Sequence, residues 1–225
     1  MLRISRWTVA AVSLLLLAVF VTPLWRIDLI APQYPEGIGL RIWIDRITGL
    51  KPNDLNSLNG LNHYIGMRAI VPESIPELRL MPYLLAGAIV AGVLVALIGR
   101  RPLLYLWATL FSLGAIAALA DFWKWGYTYG HDLDPHAAIK VPGMSYQPPV
   151  IGSKQLLNFH ATSWPGLGGW ITILAVGAVV TVALLEWQRI REATLRARSA
   201  EGTPRVRLGG ARLTRDRLTV GRHDG

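Results

Sequence analysis

The chain has 225 residues, of which 52 % are apolar and only 16 % charged, and it carries a formal net charge of +9 and no cysteine. Its apolar residues gather into long blocks rather than following a helix or strand period, which marks a membrane protein. The absence of thiols excludes a disulfide framework, a thiolate zinc site, an iron–sulfur cluster and a CxxCH-attached haem.

The first block, Trp7 to Leu24, has no ionisable side chain and follows Arg3 and Arg6. A basic start and an apolar run also describe a signal peptide. This run is long, ends in Thr22-Pro23-Leu24-Trp25 without an A-x-A pattern, and has tryptophan at each end, Trp7 and Trp25. It is read as a retained spanning helix within residues 1–25.

Residues 26–82 form a first long loop. Leu40 to Ile47 alternates early, then puts Leu40, Trp43, Ile44 and Ile47 on one helical face, which predicts an amphipathic helix. Asn53 to Met67 has Leu55, Leu58, Leu61 and Ile65 at helical spacing, with Asn56, Asn59 and Asn62 beside them. Asp54 is the expected N-cap. This short helix should bury its leucines and offer its amides to a partner surface.

Residues 83–122 hold two spanning helices, Tyr83–Gly99 and Leu103–Ala120, joined by Arg100-Arg101-Pro102. Gly87, Ala88, Ala91 and Gly92 permit close helix contact, including contact with a second copy in a homo-oligomer. A second loop, 123–169, is dense in Gly, Pro and aromatic residues, as in an ordered, non-repeating structure. Its end, Gly166-Leu-Gly-Gly169, lacks a phosphate-loop lysine and should permit a tight entry into the fourth span. That span is Trp170–Leu185 within 170–187, closed by Glu186-Trp187. Each block is about the length needed to cross roughly 30 Å of hydrocarbon at about 1.5 Å per residue. Residues 188–225 are a basic tail that opens as an amphipathic helix and becomes Gly- and Arg-rich, which predicts disorder towards its end. The expected fold is an all-α integral membrane protein: four transmembrane helices, two long ordered extracytoplasmic loops and a basic cytoplasmic tail.

Charge sets the expected orientation. The first long loop carries six bases and six acids, and the second, with Asp121 at its boundary, three of each, so the whole +9 lies in the termini and the Arg100-Arg101 turn, fourteen bases against five acids. The positive-inside rule then puts both termini in the cytoplasm and both loops on the other face. The same distribution makes the tail a solvated orientation signal rather than a nucleic-acid binder.

The four runs contain no ionisable residue, which argues against a proton pump, an ion exchanger or a transporter of charged substrates. The loops differ. His63, His131, His136 and His160, with Met67, Met81 and Met144, lie on that side or at its boundary. Imidazole with thioether and no thiolate is a ligand set suited to copper. His63 and Met67 are four apart in a helix and share a face. His131 and His136 flank Asp132, Asp134 and Pro135, and Met144 follows in Pro142-Gly-Met-Ser-Tyr146. The candidate metal ligands are His63, Met67, His131 and His136, with Met144 and His160 behind them. Against this stands the ordinary role of such residues: loop histidines bond carbonyls or stack, and single methionines fill packing gaps. Asp121, Asp132 and Asp134 resemble a hard-cation cluster, although Asp-x-Asp-Pro more often starts a turn. No nucleophile stands in a recognisable catalytic context, so no enzyme is expected.

Three stretches carry a resemblance: Asn62-His-Tyr-Ile-Gly-Met67, Trp125-Gly-Tyr-Thr-Tyr-Gly-His-Asp-Leu-Asp-Pro135, and Lys140-Val-Pro-Gly-Met-Ser-Tyr-Gln-Pro-Pro149. Together with the helix pattern over roughly residues 1 to 190, the chain is similar to the small four-helix membrane proteins encoded beside atypical (clade II) nitrous oxide reductases. The resemblance implies a bacterial cytoplasmic membrane, loops in the periplasm, and a copper enzyme or its maturation proteins as partners. It implies an accessory role and supplies no established catalytic residues. The expected function is support or assembly of that copper enzyme, with copper handled by loop His and Met. The rival is a metal-free scaffold whose loops dock a partner protein or electron-transfer complex.

Overall fold

Four helices in the computed structural model, which describes residues 1–156 and 158–201, are long and apolar enough to cross a membrane. They are α1 (Arg3–Leu15, prolonged by a 3-10 turn, Leu16–Phe20), α3 (Pro76–Ile98), α4 (Arg101–His131) and α5 (Leu167–Glu201). Most of their apolar side chains point outwards, including Leu94, Leu106, Leu113 and Leu174. Water would not tolerate such a surface, whereas hydrocarbon solvates it. The chain is a multi-pass membrane protein.

Three of the helices crowd around one small residue. A Cβ on Gly92 of α3 would lie 2.2 Å from Ser13 Oγ of α1 and 2.5 Å from Trp107 Cζ2 of α4. Only glycine leaves room for these two side chains against α3, and in lipid such packing is the main force between helices. The Trp107 indole N–H donates to Ala88 O at 2.9 Å, which spares a buried donor. Gly87, from the same small-residue stretch, faces open space.

Two helix boundaries differ from the sequence reading. α3 starts at Pro76, with proline in its first turn, seven residues before Tyr83. α4 runs on to His131, so residues 123–131 are helix and not loop. Its 31 residues span about 46 Å, more than the hydrocarbon needs. Three ring pairs at i,i+4 hold this extension: Trp123–Tyr127, Trp125–Tyr129 and Tyr127–His131, with centroids 5.5, 4.6 and 4.0 Å apart. Gly126 and Gly130 suggested a loop, but neither breaks the helix.

The all-α expectation fails outside the membrane. Both loops contribute to one five-stranded antiparallel sheet in the order β3-β2-β1-β5-β4. Strands β1 (Trp25–Ala31), β2 (Tyr34–Ile42) and β3 (Ile47–Gly49) come from the first loop, and β4 (Gly152–Leu156) and β5 (Phe159–Pro165) from the second. The β1–β5 pairing, from Trp25↔Pro165 to Ile30↔His160, joins the loops into one body. The amphipathic helix expected over Leu40–Ile47 is therefore absent. Leu40–Ile42 ends β2, a turn closes with Trp43 N–H donating to Arg46 O at 2.8 Å, and Ile47 opens β3. Short apolar clusters fit either period, and pairing with the neighbouring strand β1 across a tight hairpin decides. Ile44 at the tip of this turn is buried in the helix-bundle core and ties the sheet to the membrane part.

The short helix α2 (Asp54–Ile65) packs Leu61 against a satellite core of Ala31, Leu156, Phe159 and Ala161. Its N-cap is Asn53, not Asp54. The buried Asp54 carboxylate instead accepts from Lys51 N–H at 3.1 Å and Gly39 N–H at 3.0 Å, binding α2 to β2.

Residues 1–188 form one compact unit. Beyond it Arg189–Glu201 continues the helix, with an Arg196–Glu192 pair at 3.5 Å. The tail expected to be disordered, 202–225, lies outside the described residues.

Candidate functional site: the seam between the two extramembrane segments

The α2 helix ends in a left-handed glycine, Gly66 (φ 81°), with Met67 N–H donating to Asn62 O at 2.8 Å. This glycine cap turns the chain sharply and exposes Gly66 O sideways. Asp134 N–H donates to that oxygen at 2.8 Å, and Ile139 N–H donates to Tyr64 O at 2.9 Å. A Cβ on Gly66 would come within 2.9 Å of Ala137 Cβ and 3.0 Å of the Asp134 backbone. Arg68 and Asp132 form an ion pair across the same seam.

A third segment completes it. Tyr146 N–H donates at 2.9 Å to Gly130 O, one of the carbonyls left without a partner at the end of α4. A Cβ on Gly130 would lie 2.3 Å from Gln147 N, so the glycine makes room for this strand of backbone. The three stretches Asn62–Met67, Trp125–Pro135 and Lys140–Pro149 thus pack on one another.

Two of the three asparagines are engaged within the chain, while Asn56 is exposed. Asn59 pairs its side-chain amide with the backbone of Ile70, accepting from Ile70 N–H at 2.8 Å and donating to Ile70 O at 3.0 Å. The buried Asn62 amide donates to Arg68 O at 3.3 Å. Both amides fix the return segment after α2, and Asn56 bonds Asn53 at 3.0 Å. The Asn59→Ala variant strips two backbone groups of their partner, with an expected local cost of about 1–2 kcal/mol. Amide exchange at Ile70 should accelerate while the thermal transition of the helix bundle stays in place.

The candidate ligands separate into those at the seam and those away from it. His63, His131 and His136 are exposed, and Met67 is half-buried. His131 Nδ1 lies 2.9 Å from Tyr127 O. A carbonyl only accepts, so Nδ1 carries the proton and the Nε2 lone pair remains available. His136 Nδ1 is 3.4 Å from Asp134 Oδ1. The backbone N–H of His136 also donates to that oxygen at 2.8 Å and holds the Asp134 carboxyl below its usual range. Asp134 therefore caps a turn, closed by Ala137 N–H on Asp134 O at 3.2 Å, while Asp132 is engaged with Arg68. Among the described residues no three His, Asp or Glu side chains are grouped to share an ion. Met144 is half-buried in a turn closed by its own N–H on Val141 O at 3.1 Å.

His160 is elsewhere. In β5 the side chains of Phe159 and Ala161 pack with Leu61 of α2, so His160 alternates to the opposite face of the sheet. There its Nδ1 lies 3.4 Å from Gln155 Oε1.

Sequence reasoning passed over the most buried charged group. Glu186 of α5 is fully buried and accepts from Leu2 N–H and Ser5 Oγ at 2.7 Å each and from Arg101 Nε at 2.8 Å. It lies at the end of the bundle opposite the sheet and is structural.

Fold and seam together define a multi-pass membrane protein bearing an ordered mixed α/β body built from two separate chain segments. Compared with known proteins, the chain matches no family model and no curated protein.

Proposed function

We propose that the protein is a membrane accessory factor for a periplasmic copper enzyme of the nitrous oxide reductase type, and that it handles copper as cargo. It sits in a bacterial cytoplasmic membrane with both termini in the cytoplasm and the sheet and seam in the periplasm. The ion's ligands are drawn from His63, Met67, His131 and His136, whose three histidines are not grouped to share an ion among the described residues, with Met144 at the margin of the site and His160 outside it. One observation carries the reading: the Gly66–Asp134 and Tyr64–Ile139 backbone bonds bring the segment bearing His63 and Met67 against the segment bearing His131 and His136. The donor set of imidazole with thioether fits copper, and His131 is oriented through Nδ1 on a carbonyl, the usual outer-shell arrangement of a ligating imidazole. Exposed ligands suit an ion that is received and passed on.

The test is copper content and Cu(I) affinity of detergent-purified protein, wild type beside His63→Gln/His131→Gln. Wild type should hold stoichiometric copper, and the double variant should bind it at least about tenfold more weakly with an unchanged thermal transition. Absence of copper from both after anaerobic Cu(I) loading overturns the metal reading. A metal-free scaffold is the second reading, favoured by the His131 ring stacking on Tyr127 at 4.0 Å, which gives that histidine a packing role without metal. In that case the double variant keeps its partner.

A further inference from the structure

The sheet meets the membrane at a groove of about 380 Å³ whose lining includes Arg26, Arg41, Pro23, Pro165, Leu167 and Trp170. Arg26 and Arg41 are direct partners in the β1–β2 ladder, so their side chains leave the same face of the sheet side by side. Two like charges in that relation repel, and the neighbourhood relieves only part of it. Asp28 takes one nitrogen of Arg41 at 2.8 Å. Arg26 is exposed and, among the described residues, its guanidinium makes no hydrogen bond or ion pair. The three groups leave one net positive charge.

The other wall is apolar and belongs to the membrane boundary. Leu167 and Trp170 open α5 and are 61 % and 48 % exposed. Trp164, the β5 partner of Arg26 and on the same face, is also exposed. Tryptophan at the point where a spanning helix leaves the sheet marks the headgroup level. The positive end of the α5 dipole faces the same region and favours an anion there.

We propose that this groove binds the phosphate of an anionic phospholipid, held between the two guanidinium groups with its glycerol backbone and upper acyl chain against Leu167 and Trp170. Planar guanidinium forks match phosphate oxygens. Inorganic phosphate would use only the two arginines and leave the apolar wall wet. A zwitterionic lipid would bring its own ammonium towards them. The occupant is therefore a lipid such as phosphatidylglycerol.

Native mass spectrometry of the full chain, equilibrated with equal phosphatidylglycerol and phosphatidylethanolamine, reads retained lipid directly. Wild type should favour phosphatidylglycerol. Arg26→Gln/Arg41→Gln should reduce its retention by about tenfold, Arg26→Gln alone by less, and Arg46→Gln, at a cation outside the groove, not at all. Because Arg26 has no partner to lose, the single variant reports on the lipid even if the Arg41 change unsettles β2. Equal retention by wild type and Arg26→Gln, or no preference between the lipids, overturns the proposal. Arginine-dependent displacement of the lipid by millimolar inorganic phosphate would make this a soluble-anion site and overturn the lipid assignment.

Discussion

Replacing Glu186 by alanine is expected to destabilise the membrane bundle by roughly 3 kcal/mol, the lower part of the range for breaking a buried ion pair. The carboxylate is fully buried and gathers three elements: Leu2 and Ser5 at the start of α1, Arg101 at the start of α4, and α5 itself. The end of α3 joins beside it, where the Met1 amine donates to Gly99 O at 3.1 Å and Arg6 donates to Ala96 O and Leu97 O at 2.7 and 2.6 Å. Without the carboxylate, Arg101 turns to water because its side chain is already 39 % exposed. Ser5 Oγ and Leu2 N–H have no such route, and their stranded donors account for much of the loss. Glu186→Gln keeps the shape and one acceptor oxygen but sets an NH₂ group against other donors, so it should fall between wild type and alanine. Joint replacement of Glu186 and Arg101 by leucine should recover part of the loss, since no charge is then left without its partner. Thermal unfolding of the detergent-solubilised protein measures all three. An unchanged transition for Glu186→Ala would show that the pair is peripheral.

That cluster also shows why part of the molecule was legible in the sequence and part was not. The spans are written in composition alone, because a helix in hydrocarbon needs only a sufficient run of apolar residues. Glu186 was counted as the end of a run, since nothing local to Leu185-Glu186-Trp187 says that Arg101 and Ser5 arrive beside it. The sheet was missed for a related reason. Phe159-His-Ala-Thr-Ser-Trp-Pro165 alternates buried and exposed with only Thr162 intermediate, a half-buried strand pattern, yet its partner β1 lies more than a hundred residues earlier. The density of Gly and Pro around it drew the reading towards loop. In the seam, periodicity found α2 and its leucine face, and residue type found the histidines. The destination of the asparagines was invisible, because an amide that serves a partner and one that holds Ile70 have the same spacing. His160 could have been set apart from the other histidines only by recognising β5 and applying its two-residue alternation.

The second large effect is expected at the junction where the fourth span begins. The Gly169→Ala variant should lose roughly 2–4 kcal/mol, although alanine is the better helix former by about 1 kcal/mol. Its Cβ would stand 2.2 Å from Leu24 O, and a Cβ on Gly166 would stand 2.3 Å from Pro23 O. Both obstacles are backbone carbonyls, which cannot swing aside as a side chain can. The same two carbonyls accept from the crossing strap, Gly166 N–H on Leu24 O at 2.9 Å and Gly168 N–H on Pro23 O at 3.0 Å. Pushing the strap away therefore breaks hydrogen bonds as well as packing. Damage should spread into the adjoining end of the β1–β5 ladder, where Trp25 pairs with Pro165 and the Trp25 indole N–H donates to Ser163 Oγ at 2.8 Å. Gly177→Ala is the matched control, because that glycine lies in the same helix with open space where a Cβ would go. It should be neutral or slightly stabilising, so the two substitutions are predicted to differ in sign. Thermal unfolding measures the difference, and amide exchange across β1 and β5 locates it. A loss of similar size at both positions would trace the effect to α5 itself and remove the crossing as its cause.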